Sequence, residues 1–336
     1  MGKGPLFDIC VIGAGSGGLS VAAGAAAFGQ KVVLIEKGEM GGDCLNYGCV
    51  PSKALIAAAR HAYGFSSGAP FGITPQKPEI DFQKVHDHVT GVIETIAPHD
   101  SQARFEGLGV RVIRAAGRFT GRETLKAGSE TITARRFVIA TGSSPAAPPI
   151  PGLGNVPYFT NETIFANTQL PESLIVIGGG PIGMEMAQAH ARLGSSVTVL
   201  EAFDPLGKDD PECTSVVLAQ LESEGIEILP RIKIEDMEKT ASGIRVSISS
   251  ESGARQLEAS HLLVAAGRVA NVENLGLEAA GIEYSRRGIK VDKGLKTTNR
   301  KVYAIGDVAG GLQFTHVAGY QAGLVLKNAL FHLPVT

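Results

Sequence analysis

FDICVIGAGSGGLSVAAGAAAFGQKVVLIEK, residues 7 to 37, reads as an apolar strand, a glycine turn, a short helix and a second apolar strand. SLIVIGGGPIGMEMAQAHARLGSSVTVLEAF, residues 173 to 203, repeats that plan. Each copy carries GxGxxG directly after its first strand, at Gly13, Gly15 and Gly18 and again at Gly178, Gly180 and Gly183. Each ends its second strand on an acid, Glu36 and Glu201, at the same offset from the first glycine. The first glycine makes a tight turn, the second lets backbone approach a pyrophosphate, and the third lets helix and strand pack closely. The helix start then faces the phosphates, and the acid accepts hydrogen bonds from a ribose diol. One such motif is weak evidence; two in full βαβ context imply two dinucleotides, or one nucleotide and one flavin.

The rest of the chain is consistent with an enzyme of this build. Its 336 residues suffice for two or three domains, each with its own core. With 43 glycines, 44% hydrophobic residues and no Trp, it reads as α/β rather than disordered or fibrous. A net charge of -2 gives no electrostatic case for nucleic acid or an anionic membrane. The apolar run at the start is too short for a signal peptide, and LSVAAGAAAFG reads as a buried helix rather than a span. The cytoplasm is therefore the expected compartment, where a cysteine pair is more often catalytic than structural.

GGDCLNYGCVPSK, residues 41 to 53, holds two of the four cysteines. On one regular helix Cys44 and Cys49 would be about 7.5 Å apart by rise alone. A disulfide needs Cα atoms within about 7 Å. Either the two never pair or the loop is bent, and Asn46 and Gly48 are the residues that tolerate the positive φ of a bend. Pro51 suits the first turn of a following helix, which sets Cys49 at that helix's positive end, where a thiolate is favoured. Cys10 lies in the first strand and reads as core, and Cys213 reads as incidental.

Further strand ends carry polar residues: Thr141-Gly142 after RRFVIA, Gly267-Arg268 after HLLVAA, and Asp307 after KVYAIG, where it could bond a ribityl hydroxyl. Residues 110 to 137 alternate as a small β-meander, and the Pro-rich stretch 143 to 152 reads as a hinge. KVHDHVTGVIETIAPHDSQARFEGLG reads mostly as helix, interrupted or restarted at Pro98.

With the cysteine loop added, the chain resembles the class I pyridine nucleotide–disulfide oxidoreductases, which include dihydrolipoamide dehydrogenase, glutathione reductase and mercuric reductase. The family pattern GGxCxNxGCxPSK is met at every fixed position, and the resemblance runs from Phe7 to about Leu333. It implies two Rossmann-like domains of three-layer ββα type: residues 1–148 and a return segment 271–336 binding FAD, and 149–270 binding NAD. It implies Cys49 as the thiol beside the flavin and Cys44 as the interchange thiol, joined as a redox-active disulfide. Lys53 would be a buried cation near the reactive flavin nitrogen, offset by Glu185. The FAD set would be Gly13, Gly15, Gly18, Glu36, Lys37, Gly42, Asp43, Cys44, Lys53, Gly117, Thr141, Gly142, Asp307 and His316, the last capping a helix beneath the flavin. The NAD set would be Gly178, Gly180, Gly183, Glu185, Glu201 and Gly267. Ala202, Phe203 and Asp204, which follow Glu201, offer no Arg for a 2′-phosphate, so NAD is expected over NADP. No metal site is expected.

Two departures stand out. Asp43 occupies a position that is often threonine in the family, and a carboxylate beside Cys44 disfavours its thiolate unless it points away. The family also continues into an interface domain with a His-x4-Glu pair, and none of the eight histidines here has Glu five positions on. The homodimer of full-length relatives is therefore expected to be weakened or lost. The resemblance implies an NADH-dependent reductase of a small or protein-bound disulfide, most like dihydrolipoamide dehydrogenase. A mercuric-ion reductase is the alternative. An NADH oxidase or electron-transfer flavoprotein and a non-catalytic redox sensor are rivals from other classes.

Overall fold

A computed structural model describes residues 6–334. By contacts the chain divides into two compact units, one of residues 1–46, 94–144 and 268–336, the other of 47–93 and 145–267. The crossing at 144/145 falls within the Pro-rich stretch 143 to 152. Segment 47–93, contiguous with the first nucleotide fold in sequence, packs with the second unit.

In the first unit the strand Leu6–Ile12 lies between Val32–Glu36 and Glu130–Ile139, parallel to both, and Arg111–Arg114 extends the sheet beyond Val32–Glu36. Alternation along the first strand splits the core. Cys10 and Ile12 face the antiparallel ribbon with Phe119, Leu125 and Ile132, while Ile9 and Val11 face the helices with Leu19, Ala22 and Val325. The meander begins later than the sequence pattern suggests. Arg111–Arg114 belongs to the parallel sheet, and only Gly117–Gly121, Thr124–Ala127 and the start of Glu130–Ile139 form the antiparallel ribbon. Alternating residues look the same in either kind of ladder, so pattern alone could not separate them.

The return segment closes this sheet. Val302–Ala304 pairs in parallel with the end of Glu130–Ile139, and the helix Thr315–Phe331 lies on the glycine-turn helix Ser16–Ala27. Small residues permit that approach: a Cβ on Gly24 would sit 2.4 Å from Leu326 Cδ1. Pro98 marks a break, as expected, since the helix Phe82–Ile96 gives way to a 3₁₀ turn, Ala97–Asp100, before Gln102–Gly107.

The second unit has four parallel strands in the order Glu227–Leu229, Ser196–Leu200, Ser173–Ile177, His261–Val264. Ile175, Ile177 and Val264 face an antiparallel sheet built from Lys233–Lys239, Ile244–Ser250 and Gly253–Ala259. Leu174, Val176 and Leu263 face the helices Pro181–Leu193 and Cys49–Ser66. Antiparallel sheet, parallel sheet and helices make the three-layer ββα arrangement. No helix among the described residues is long and apolar enough to cross a membrane.

Candidate functional site

The two glycine turns are built alike. Gly13 and Gly178 have φ of 104° and 112°, and a Cβ on either would fall within 2.4 Å of a carbonyl oxygen, Ala140 O or Ala265 O. Gly18 and Gly183 sit against the turn, where a Cβ would lie 1.9 Å from Gly13 O or Gly178 O. These four glycines are forced by sterics. Gly15 and Gly180 differ, because they precede the helices in extended backbone with φ of -81° and -79°. A Cβ on Gly180 would meet no described atom within 4 Å, and on Gly15 the nearest is Gly42 Cα at 4.0 Å.

Among the described residues neither helix start is capped by a side chain. Their leading N–H groups are therefore available to an anion, and the second glycines keep the approach clear. The acids complete both cradles. Glu36 accepts from Ala14 N–H and Gly38 N–H, both at 2.6 Å. Glu201 accepts from Gly179 N–H at 2.6 Å and Phe203 N–H at 2.9 Å. Each carboxylate oxygen thus has one backbone partner and a lone pair left for a ribose hydroxyl. Both cradles fit a dinucleotide.

In the first unit Gly41 and Gly42 take the positive φ, 88° and 62°, and Gly41 N–H bonds Ala14 O at 3.0 Å. The chain does bend between the two cysteines, at residues 47 and 48, but without the positive φ expected there: Gly48 has φ -126°, and Asn46 ends the short helix and donates to Met40 O and Gly42 O. A Cβ on Gly42 would sit 2.7 Å from Gly15 Cα, so two loops meet glycine to glycine. Cys44 lies in the short helix Gly42–Asn46 and is half-buried. Lys37 is exposed. Gly117 starts a strand where a Cβ would press on Ile35 at 3.3 Å and Ile12 at 3.4 Å, so packing accounts for it.

Thr141 donates from Oγ1 to Asn271 O at 2.8 Å, and Asn271 N–H returns a bond to Gly142 O at 2.9 Å. Asp307 accepts from Ser143 Oγ at 2.5 Å, which in turn accepts from Arg268 Nε at 2.7 Å. Arg268 also lies 3.1 Å from Asp43 Oδ1. Nothing in the sequence signals this network, because Arg268 reads there only as the residue after a strand end. Gln321, likewise unforeseen, accepts Gly306 N–H at 2.7 Å beside Asp307. His316 does not cap its helix. Its exposed ring stacks on Phe314 with centroids 5.3 Å apart, and the helix start has no side-chain cap among the described residues.

In the second unit Cys49 is the first residue of the helix Cys49–Ser66, with Pro51 in its first turn, and it is exposed. Lys53 follows one turn later on the same face. Its ammonium contacts both oxygens of Glu185, at 2.8 and 2.7 Å. The pair is not buried as expected: the Lys53 side chain is 60% exposed. Gly267 has φ 134°. Cys10 is fully buried, and burial pushes its thiol up, beyond use as a nucleophile. Cys213 is exposed in the helix Pro211–Ser223.

The likeness to known proteins agrees with this geometry. Residues 7–322 match the family model of the pyridine nucleotide-disulphide oxidoreductases. A mercuric reductase of Streptomyces lividans is 36% identical over 334 residues, covering 96% of this chain and 70% of that protein. A dihydrolipoyl dehydrogenase of Staphylococcus aureus is 35% identical, covering 94% of this chain and 68% of that one. The solved structure of the HOCl-induced flavoprotein disulfide reductase RclA from Escherichia coli superposes with a TM-score of 0.86 at 28% identity, covering 98% of this chain and 72% of that one. Against the mercuric reductase of Bacillus cereus the chain spans about half the length, 52%. Enzymes of this kind use FAD and NAD(P)H. On sequence and on architecture alike, the chain belongs to the pyridine nucleotide-disulphide oxidoreductase family.

Proposed function

We propose that the protein is a cytosolic, NADH-dependent disulfide reductase in which Cys44 and Cys49 form the redox pair. The observation that carries this reading is the placement of Cys49 at a helix start with Lys53 one turn on, held by Glu185. Helix dipole and ammonium both favour a thiolate at Cys49.

Gly13, Gly15, Gly18 and Glu36 would hold the FAD, with Thr141, Gly142 and Asp307 at the ends of neighbouring strands. Gly178, Gly180, Gly183 and Glu201 would hold the nicotinamide dinucleotide. When bound, FAD supplies the two-electron relay between nicotinamide and thiols. Overall one NADH and one proton reduce one disulfide to two thiols and leave NAD⁺. The Cys44 thiolate attacks a sulfur of the external disulfide, forms a mixed disulfide and expels one substrate thiol. Cys49 then attacks Cys44, re-forms the internal disulfide and releases the second thiol. Lys53 contributes positive charge on the exposed helix face, and Glu185 fixes its direction.

A lipoyl-type disulfide, small or protein-bound, is the leading substrate. Mercuric ion is the second reading, because mercuric reductases are as similar as dihydrolipoyl dehydrogenases. Parallel assays of NADH oxidation with lipoamide, oxidised glutathione and Hg²⁺ decide between them, with Cys44→Ser as control. Lipoamide turnover that Cys44→Ser abolishes is the expected result. NADH-dependent dye reduction with no disulfide turnover would instead make the protein an NADH oxidase or electron-transfer flavoprotein.

A further inference from the structure

The net charge of -2 hides a segregation of charge. The first unit carries 20 Lys and Arg against 14 Asp and Glu, whereas the second carries 11 against 19. The excess of cations is concentrated in residues 282–301, IEYSRRGIKVDKGLKTTNRK, with seven Lys and Arg against two acids. Folding keeps that segment together. Tyr284–Ser285 pairs with Gly288–Ile289 as a hairpin that has Arg286 and Arg287 at its tip. Glu283 N–H donates to Thr298 Oγ1 at 3.0 Å, and Asn299 Nδ2 donates to Arg122 O at 2.9 Å, which adds a further cation to the group. Gly288, with φ 131°, lets the hairpin lie on the turn Gly306–Ala309, since a Cβ there would sit 2.6 Å from Val308 O. Three exposed ion pairs stud this region: Lys290 with Glu283 at 2.7 Å, Arg300 with Asp292 at 2.9 Å and Lys301 with Glu123 at 2.6 Å. Arg122, Arg286, Arg287 and Lys293 are exposed and have no carboxylate partner among the described residues.

We propose that this face of the first unit docks an acidic protein surface, one rich in exposed Asp and Glu. The guanidinium forks of Arg122, Arg286 and Arg287 match carboxylates at two points each. Arg287 also lines a cleft of about 420 Å³, shared with Tyr284, Lys290 and Gly311, that can seat an incoming carboxylate side chain. The built-in acids decide against a phosphate chain or an anionic bilayer. Glu283, Asp292 and Glu123 interrupt the continuous positive field that a regularly charged phosphate surface calls for, whereas a protein partner can set a Lys or Arg against each of them. Complementarity of this kind steers the encounter, so its signature is an association rate that falls as salt rises.

The test titrates the full chain into a fluorescent poly-glutamate peptide and follows anisotropy at low and at physiological salt. Binding that weakens as salt rises is the expected result. Arg286→Glu/Arg287→Glu/Lys293→Glu should weaken it at least about tenfold, the scale of several exposed charges acting together, and the corresponding triple Gln variant by less. Lys239→Glu, in the second unit, should leave it unchanged. All these side chains are exposed, and urea midpoints confirm that each variant folds. Absence of poly-glutamate binding overturns the proposal, as does binding that the triple Glu variant retains. An oligothymidylate or a phosphatidylserine vesicle that binds more tightly than poly-glutamate, and is lost with the same substitutions, overturns it in favour of a phosphate-bearing partner. A dimer in sedimentation that those substitutions dissolve overturns it in favour of a second copy of this chain.

Discussion

Arg268 Nη2 lies 3.1 Å from Asp43 Oδ1, although 225 positions of chain separate the two. Asp43 adjoins Cys44. The guanidinium balances the carboxylate's charge, and through Ser143 it also ties in Asp307. Residues from four parts of the sequence therefore meet in one polar network.

Arg268 is 13% exposed, so its loss would remove the positive charge beside two partly buried carboxylates. Arg268→Met is expected to destabilise the protein by about 2 kcal/mol, discounted for the partial exposure of Asp43. Urea midpoints measure this. Arg268→Met/Asp43→Asn should recover part of the loss, and a double variant as unstable as the single one would refute the charge-balance account.

Lys53 and Glu185 form an exposed pair, so Lys53→Met should cost less than about 1 kcal/mol of stability. If the ammonium serves the redox site, NADH-dependent turnover should still fall at least about tenfold, because a positioned charge near developing charge is worth that much or more. Thermal melts and steady-state rates on the same preparation separate the two effects. Equal losses in both would make Lys53 a structural residue.

Cys49 and Cys44 should separate by absorbance. On two-electron reduction the FAD-loaded protein is expected to show a long-wavelength band from a thiolate beside the flavin. Cys49→Ser should remove it, and Cys44→Ser should keep it. The reverse pattern would exchange the roles of the two thiols.

If Glu201 meets the ribose, as proposed, its remaining lone pairs would take the diol and its charge would repel a 2′-phosphate. NADH should be favoured over NADPH by at least about tenfold in kcat/KM, a difference of about 1.4 kcal/mol. Glu201→Ala should narrow that ratio chiefly by raising KM for NADH.

Acid sensitivity should centre on Glu224 in the second unit. Burial raises its carboxyl, but the Arg192 guanidinium and the Gln220 and Gln188 amides outweigh that and hold it below the usual 4.5. Arg192 itself lies over the Tyr63 ring at 4.5 Å, so the pair joins three helices. A depressed folded value means stability is fully present above pH 4.5 and is lost as pH falls through the folded value. Glu224→Gln should destabilise the protein at pH 7, and its difference from wild type should shrink on acidification. A pH-independent difference would remove Glu224 from the acid response.

What could be read from the sequence was local. Strand, glycine turn, helix and acid lie within about thirty residues of one another, and steric demands at Gly13, Gly18, Gly178 and Gly183 leave no other residue type. Cys49 at a helix start and Pro51 in its first turn follow from neighbours in the chain. What tertiary structure decided was every pairing between distant charges. Arg268 with Asp43, Arg231 with Asp204 and Arg192 with Glu224 join side chains that no periodicity connects. The ladder type of Arg111–Arg114 and the exposure of Lys53 were settled the same way. Backbone sterics act over a few residues and leave a pattern in the sequence. An ion pair depends only on where two chain segments come to lie in space, so it leaves none.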